Sequence, residues 1–261
     1  MTHENMVKII EQAAVVENTL LASGVFRLVV KAPKIARQCA PGQFVMLRLT
    51  HLADPLLRRP ISIAGADAQA ETITLICRIV GHGTDLLSTV KVGEMLDIMG
   101  PLGRGFDLDC KRPLLVGGGI GLAPLLYVAE ACCPNPVEVL AGGRTCSELF
   151  WTKLFQDSCH AVHVTTDDGS LGVCGTCVDA LPEVLKTGNY DRVMTCGPRP
   201  MMQRVAAEAA KFGIRTQVSL EEHMACGLGA CLSCTCAASD GGARQVCKDG
   251  PIFWSEEVAW A

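Results

Sequence analysis

The sequence predicts a multidomain α+β protein: an antiparallel β-barrel domain, an α/β domain with a parallel sheet, and a small C-terminal domain that carries a cysteine cluster. Three observations predict this class. Short β-rich runs separated by turn residues come first, repeated strand–helix alternation follows, and closely spaced cysteines stand near the end. We expect the domain boundaries at 1–105, 106–218 and 219–261, which a chain of 261 residues can accommodate.

Three β-rich runs predict the barrel, and glycine or proline turns separate them: Gly24–Val30, Gln43–Leu49 and Glu71–Val80. In an antiparallel strand alternate residues point inward, so each run can fill a core on one face. The segment Leu96–Gly105 predicts a tight turn that leads into the second domain.

Two stretches of the first domain depart from a plain strand pattern. Arg59-Pro60-Ile61-Ser62 places a cation and a hydroxyl three residues apart, and Gly83-Thr84 follows the next strand with flexible backbone and a second hydroxyl. An arginine can bind a pyrophosphate through two donors, and a hydroxyl can meet the polar edge of an isoalloxazine ring. A solvated arginine beside an ordinary strand accounts for these residues equally well.

The second domain opens with a glycine loop between a strand and a helix. Pro113–Val116 predicts a buried strand, Leu122–Cys132 predicts a helix, and the loop between them supplies Gly117, Gly119 and Gly121. Such a loop lets a pyrophosphate approach the backbone and a helix N-terminus. The usual G-x-G-x-x-G fingerprint is not met, and no acidic residue ends the next strand, so a merely tight turn remains an alternative.

Further strand–helix alternation predicts a parallel sheet, in which ligands collect beyond the carboxyl ends of the strands. Cys196-Gly197-Pro198 follows one such strand, and we expect Cys196 to form a wall of a nicotinamide pocket. A small core residue is the alternative. The remaining predicted elements are helices 147–155, 177–185 and 201–212 and strands 161–165 and 192–195.

The C-terminal cysteines follow the spacing C-x4-C-x2-C, and a fourth comes after twelve intervening residues: Cys226, Cys231, Cys234 and Cys247. This spacing is typical of plant-type [2Fe–2S] ligands. The small residues Gly227, Gly229 and Ala230 allow the loop to curl around a cluster. Zinc and unmetallated thiols are the alternatives, although zinc sites usually pair two short knuckles. We leave Cys236 out of the ligand set.

Composition restricts the functional class. The net charge is −4, without a block of like charge, which favours neither a nucleic-acid nor a membrane partner. Met1–Asn5 lacks the features of a signal peptide, and fifteen cysteines, an odd number, fit a reducing compartment. We therefore expect a cytoplasmic protein.

The order of these motifs resembles the ferredoxin-NADP reductase superfamily over residues 8–218, where a barrel holds FAD and an α/β domain holds NAD(P). With the cysteine run and Val246–Phe253, the whole chain is similar to the electron-transfer subunits of class B dihydroorotate dehydrogenases. This resemblance implies FAD, one [2Fe–2S] cluster, NAD and a hetero-oligomer, a heterotetramer, with an FMN-containing catalytic subunit that oxidises dihydroorotate in pyrimidine biosynthesis.

The resemblance also implies an oxidoreductase in which electrons pass singly through the cluster to FAD and then as hydride to NAD. Arg59 would hold phosphate, Ser62 would tune the flavin edge, and Gly119 and Gly121 would seat the pyrophosphate. Arg144 can meet either an adenine or a 2′-phosphate, so NAD rather than NADP rests on the family alone. Related subunits serve ferredoxin–NADP oxidoreductases and sulfide dehydrogenases, and a non-enzymatic zinc-binding module is an alternative from another class.

Overall fold

The computed structural model describes residues 8–49 and 54–260. Met1–Asn5, on which the expectation about a signal peptide rests, lies outside the described residues. The chain forms two compact units. One contains the chain up to Gly105 with Glu221–Cys236 and Arg244–Pro251, and the other contains Phe106–Leu220, Ala237–Ala243 and the chain from Ile252 onward. The three-domain division therefore stays a prediction, because residues 219–261 contribute to both units.

The first unit is built on a closed antiparallel barrel of six strands in the order β1-β2-β5-β4-β3-β6. Leu28, Leu47 and Leu75 lie in its interior and are almost completely buried. Two short helices, α1 (Pro33–Ala36) and α2 (His82–Ser88), connect strands. The strands are β1 (Ile9–Ala22), β2 (Val25–Lys31), β3 (Phe44–Leu49), β4 (Arg59–Asp67), β5 (Thr72–Arg78) and β6 (Met95–Leu102).

The second unit is built on a seven-stranded sheet. Its first six strands in chain order are β7 (Pro113–Gly118), β8 (Glu138–Gly143), β9 (Ala161–Thr166), β10 (Val173–Cys174), β11 (Arg192–Cys196) and β12 (Thr216–Ser219). Two short strands, β13 (Thr235–Ala237) and β14 (Ala243–Gln245), pair with each other, and β15 (Ile252–Trp254) completes the large sheet. The order is β10-β9-β8-β7-β11-β12-β15, parallel except that β15 runs antiparallel to β12.

The helices of the second unit are α3 (Leu122–Cys132), α4 (Trp151–Phe155), α5 (Cys177–Thr187) and α6 (Arg199–Lys211). Leu181 of α5 and Val205 of α6 pack into one apolar core with Leu140 and Val193 of the sheet. Burying each such side chain contributes roughly 1.5–3 kcal/mol, so the sheet provides a rigid base for the loops at its carboxyl edge.

Most predicted elements are confirmed, including the helix Leu122–Cys132 at both of its ends. Two predictions were wrong. Residues 96–102 are not a turn but most of β6, which closes the barrel between β1 and β3. Residues 147–155 contain only a 3-10 turn at Cys146–Glu148 and the five-residue α4. The predicted parallel sheet is confirmed for β7 to β12, and β15 of the C-terminal segment adds one antiparallel strand at its edge.

No helix among the described residues is long and apolar enough to cross a membrane.

Candidate functional site

The structure brings the two stretches predicted to bind flavin into contact. Arg59 begins β4, and Gly83 lies in the first turn of α2. A Cβ atom added at Gly83 would lie 2.1 Å from Arg59 Nε and 2.7 Å from its Cζ. The Arg59 guanidinium therefore occupies the space that a side chain at Gly83 would need. Arg59 Nη1 donates to the carbonyl of Leu57, which fixes the guanidinium further.

Arg58, the neighbour of Arg59, has a structural role. Its Nη1 and Nη2 donate to the two Asp97 carboxylate oxygens at 2.7 and 2.9 Å, and Arg48 donates to the same carboxylate at 2.8 Å. Burial alone would raise the pKa of Asp97, but the hydrogen bonds and charges of Arg58 and Arg48 outweigh it and lower the pKa. Of the two adjacent arginines, Arg59 is therefore the candidate phosphate ligand.

The hydroxyls of this stretch differ in their environment. Ser62 is half-buried and lies opposite Phe44 in the β3–β4 ladder, with Pro60 and Ile61 half-buried beside it. Thr84 is buried, and its Oγ1 accepts from the backbone N–H groups of Val80 and Gly81 at 2.9 and 3.2 Å and donates to the Gly81 carbonyl. That hydroxyl caps α2, so the contribution of Thr84 to a flavin site stays a prediction.

The predicted nucleotide loop and the predicted nicotinamide turn also meet. Gly117 of β7 lies beside Cys196 in the β7–β11 ladder. A Cβ atom at Gly121 would lie 2.4 Å from the Cys196 carbonyl oxygen and 2.7 Å from Gly197 Cα. The two loops therefore touch through backbone at the carboxyl edge of the sheet, which is where ligands of such sheets bind. Gly119 has a φ of +56°, which favours glycine, and Pro198 precedes α6.

The end of β8 carries a cation that is already paired. Arg144 donates from Nε to Glu148 Oε1 at 2.8 Å, and its backbone N–H donates to Glu148 Oε2 at 3.0 Å. Glu148 ends the 3-10 turn that follows β8. The hydrogen bond and charge of Glu148 raise the pKa of Arg144. Arg144 is evident from the sequence, whereas Glu148 is not, because the place of Glu148 depends on that turn.

The four candidate iron ligands lie in the first unit, with the barrel. Cys234 and Cys247 are buried, Cys226 is half-buried, and Cys231 is exposed. Three backbone N–H groups donate to sulfur: Leu228 to Cys226 at 3.3 Å, Gly229 to Cys247 at 3.1 Å, and Cys247 to Cys234 at 3.4 Å. Such donors stabilise the thiolates that iron requires, and hydrogen bonds to sulfur tune the reduction potential of a cluster.

The thiols form two pairs. Cys231 hydrogen-bonds with Cys226, and Cys247 hydrogen-bonds with Cys234. Within the described ranges, no three His, Cys, Asp or Glu side chains converge on one metal position. A [2Fe–2S] cluster takes two protein ligands on each iron, so two pairs of thiols are the donor set that it needs. The four cysteines therefore fit this cluster.

Ser233 was not predicted, yet it takes part in this site. Its Oγ lies 3.3 Å from Cys231 Sγ and accepts from the Ala225 backbone N–H at 3.2 Å. Hydrogen bonds from Ser233 and then from Cys226 lower the pKa of Cys231 to about 6, whereas burial and Cys234 raise the pKa of Cys247 to about 12. A hydroxyl between two ligand cysteines is the sequence signal that would have identified it.

The cluster loop packs directly on the barrel. A Cβ atom at Gly227 would lie 2.9 Å from Met46 Cγ and 3.3 Å from Met99 Cε, and these two methionines are partners in the β3–β6 ladder. Met46 is also opposite Pro60 in the β3–β4 ladder. One barrel strand therefore separates the cluster loop from the strand that begins with Arg59.

The comparisons with known proteins agree with this arrangement. Residues 7–106 match the family model described as the oxidoreductase FAD-binding domain. Residues 221–259 match the iron–sulfur cluster binding domain of dihydroorotate dehydrogenase B. A barrel that binds flavin and a C-terminal segment that binds an iron–sulfur cluster define a flavin- and iron–sulfur-dependent oxidoreductase. Neither match supports the zinc-binding alternative.

Curated relatives define the family. The chain is 39% identical to the dihydroorotate dehydrogenase B (NAD(+)) electron transfer subunit of Geobacillus sp. (strain WCH70), over 95% of this chain and 98% of that one. It is 38% identical to the subunit of the same description from Listeria monocytogenes serotype 4b (strain F2365), over 94% and 97%. The chain belongs to the family of dihydroorotate dehydrogenase B electron transfer subunits, as its motifs predicted.

Solved structures support the fold. A chain in the structure of an NADH-dependent reduced ferredoxin-NADP oxidoreductase superposes with a TM-score of 0.86 at 32% identity, covering 95% of this chain and 90% of that one. A ferredoxin NADP+ reductase from Neisseria gonorrhoeae with bound FAD and NADP superposes with a TM-score of 0.62 at 17% identity, covering 78% and 92%. The second likeness concerns the fold alone.

Proposed function

We propose that this chain carries electrons from a dihydroorotate-oxidising, FMN-containing catalytic subunit to NAD+, as the electron transfer subunit of a cytoplasmic hetero-oligomer in pyrimidine biosynthesis. The observation that carries the proposal is the pairing of four thiols on the flavin-type barrel. Cys226, Cys231, Cys234 and Cys247 stand in the same compact unit as Arg59 and Ser62. The relatives are named for NAD(+) and for this role.

Different residues of the chain would bind FAD and NAD. Bound FAD would supply the exchange between one-electron and two-electron transfer that a [2Fe–2S] cluster and a nicotinamide require. Arg59, held against Gly83, would bind its pyrophosphate, and half-buried Ser62 would donate to the polar edge of the flavin ring. The backbone around Gly119 and Gly121 would seat the NAD pyrophosphate, and Cys196 would line the nicotinamide pocket.

The thiols and the backbone donors around them would hold the cluster. Each pair of thiolates would bind one iron, and the N–H groups of Leu228, Gly229 and Cys247 would stabilise their negative charge. Cys231 is the exposed member of the set, so the cluster would be nearest to solvent, and to a partner subunit, at this ligand. No group in this chain is required as an acid or base for dihydroorotate oxidation, which would belong to the partner.

Replacing Cys231 by Ser tests the function. We expect Cys231→Ser to abolish dihydroorotate-dependent NAD+ reduction by the complex while flavin reduction by NADH is retained, because only the cluster links the two subunits. The measurement compares coupled activity with the anaerobic absorbance change of the flavin on NADH addition. The control is Cys133→Ser, an exposed thiol of the other unit. Full coupled activity in Cys231→Ser would contradict the proposal.

A second candidate follows from one observation. The ferredoxin-NADP oxidoreductase chain is 32% identical to this one and covers almost all of it. A flavin and iron–sulfur subunit that serves a ferredoxin partner therefore shares this fold. Identification of the chains that co-purify with this subunit distinguishes the two: a dihydroorotate-oxidising subunit supports the first candidate, and a ferredoxin-dependent subunit supports the second.

A further inference from the structure

The end of β8 lies beside the glycine loop that the proposed function assigns to the NAD pyrophosphate. Gly118 at the end of β7 is the ladder partner of Gly142, and Gly143 is the partner of Thr166 at the end of β9. In doubly wound sheets the adenosine ribose of a dinucleotide lies over the end of this second strand, where an acidic residue accepts from its 2′-hydroxyl. Here the position after Gly143 holds Arg144 instead.

Glu148 changes the chemistry of that position. Its Oε1 accepts from Arg144 Nε and its Oε2 accepts from the Arg144 backbone N–H, so the carboxylate is fixed at both oxygens. The Glu148 side chain is 22% exposed, whereas that of Arg144 is 76% exposed. The Arg144 guanidinium therefore lies at the surface against the 3-10 turn, and the Glu148 carboxylate lies at the end of β8.

Two more carboxylates follow β9. The backbone N–H groups of Asp167 and Asp168 donate to the carbonyls of Gly143 and Arg144. Asp168 accepts from the Ser170 hydroxyl at 2.6 Å, and Ser170 in turn accepts from the Cys146 backbone N–H at 2.8 Å. Glu148 pairs with the Arg144 guanidinium, the charge of Asp167 also acts on it, and Asp168 follows in the same loop, so carboxylates outnumber the cation at this edge.

We propose that Glu148 makes this chain select NAD over NADP, by neutralising Arg144 and placing a carboxylate where a 2′-phosphate would otherwise bind. The inference rests on the proposed function, because it concerns the same nucleotide site. A 2′-phosphate carries about −1.5 to −2 charges, so an acidic edge repels it, whereas a 2′-hydroxyl can donate to a carboxylate. An arginine released from Glu148 would instead be a bidentate phosphate ligand.

Direct binding measurements on the purified complex test this inference. Titration calorimetry with NADH, NADPH, 5′-AMP and 2′,5′-ADP, on the complex reduced beforehand with dithionite so that no hydride transfer follows binding, gives affinities that do not depend on turnover. The wild type is expected to bind NADH and 5′-AMP in preference to their 2′-phosphorylated counterparts. Glu148→Gln is expected to gain about tenfold or more in affinity for NADPH and 2′,5′-ADP, because one opposing charge is lost and Arg144 is released.

Three further variants isolate the cause. Arg144→Ala/Glu148→Gln should lose most of the gain, since the phosphate ligand is absent. Glu148→Asp keeps the charge and should keep the preference for NADH. Glu183→Gln removes an equal charge from α5, where Glu183 pairs with Lys186, and should leave both affinities unchanged. Circular dichroism of each variant confirms that it is folded.

The outcomes separate the two proposals. A wild type that binds neither NADH nor NADPH contradicts the proposed function. A wild type that binds NADH and NADPH equally, or a folded Glu148→Gln that discriminates as the wild type does, contradicts the role of Glu148. If Glu148→Gln no longer binds NADH, Glu148→Asp, which keeps the charge, decides the question. Retained preference for NADH over NADPH in Glu148→Asp supports the role of Glu148, and loss of that preference contradicts it. An undiminished NADPH gain in the double variant contradicts the role of Arg144.

Discussion

At the scale of single residues, some glycines of this chain leave space for a functional side chain, and others permit turns. The sequence indicated Gly83 as flexible backbone after a strand. In the structure its missing side chain is the space that Arg59 occupies, since a Cβ atom would overlap the guanidinium. Gly81, two residues earlier, has nothing within 4 Å of the position of a Cβ atom, and its φ of 174° is open to any residue.

These two glycines give a matched pair of substitutions. We expect Gly83→Ala to displace Arg59 and to weaken FAD binding about tenfold or more, because a charge-assisted contact to the pyrophosphate is lost. Gly81→Ala is expected to bind FAD as the wild type does. The affinity is measured by quenching of FAD fluorescence when the flavin-free protein is reconstituted. Equal FAD affinity in the two variants would contradict the assignment of Arg59.

Residue type and spacing predict the candidate ligand-binding residues but not the residues that hold them in place. Arg59, Gly121 and the four cysteines follow from residue type and spacing. Glu148 and Ser233 lie in a short turn and in the cluster loop, and their partners are defined only by backbone conformation. A charged side chain in a turn, such as Glu148, has no period or spacing that identifies its partner, so its role is not predictable from a single sequence.

At the scale of secondary-structure elements, a buried polar network joins the starts of β8 and β9. Glu138 is buried, and its Oε2 accepts from Tyr190 at 2.6 Å and pairs with His163 Nε2 at 2.8 Å, while Oε1 accepts from Arg112 at 3.0 Å. Burial alone would raise the pKa of Glu138, but hydrogen bonds from His163, Tyr190 and Arg112 lower it to about 2. The network stabilises the edge of the sheet opposite the ligand loops.

Replacing Glu138 by Gln should therefore destabilise the second unit by about 2–3 kcal/mol, because charged hydrogen bonds are lost in a buried site. The folded pKa of Glu138 lies below its ordinary value of 4.5, so this stabilisation is present above about pH 4.5 and is lost as the pH falls toward 2. Urea unfolding between pH 3 and 7 measures it, with exposed Glu183→Gln as the control. A stability difference that does not shrink as the pH falls would contradict this assignment.

The elements that the sequence did not predict share a physical cause. β6 contains glycine and proline near its end, which read as a turn, yet pairing with both β1 and β3 keeps it extended. β12 and β15 are four and three residues long, too short for a period to be recognised. β12 is held extended by pairing with β11 and β15, and β15 by pairing with β12 at the sheet edge. Tertiary pairing overrides local propensity in each case.

At the scale of the whole molecule, the C-terminal segment does not form a compact unit of its own. Glu221–Cys236 and Arg244–Pro251, which contain all four candidate ligands, are grouped with the barrel. Gly227 lies against Met46, and Arg104 donates its backbone N–H to the Gly250 carbonyl within the same unit. Spacing predicted the ligands, but which domain receives them depends on contacts that no local pattern encodes.

The central claim is that this chain links dihydroorotate oxidation to NAD+ through a cluster held by Cys226, Cys231, Cys234 and Cys247. The most direct test is anaerobic rapid mixing of the purified complex with dihydroorotate, followed by electron paramagnetic resonance and flavin absorbance. We expect both the iron–sulfur signal and reduced FAD to develop in the wild type, and neither to develop on this subunit when Cys231 is replaced by Ser. A cluster that NADH reduces but dihydroorotate does not would contradict the account.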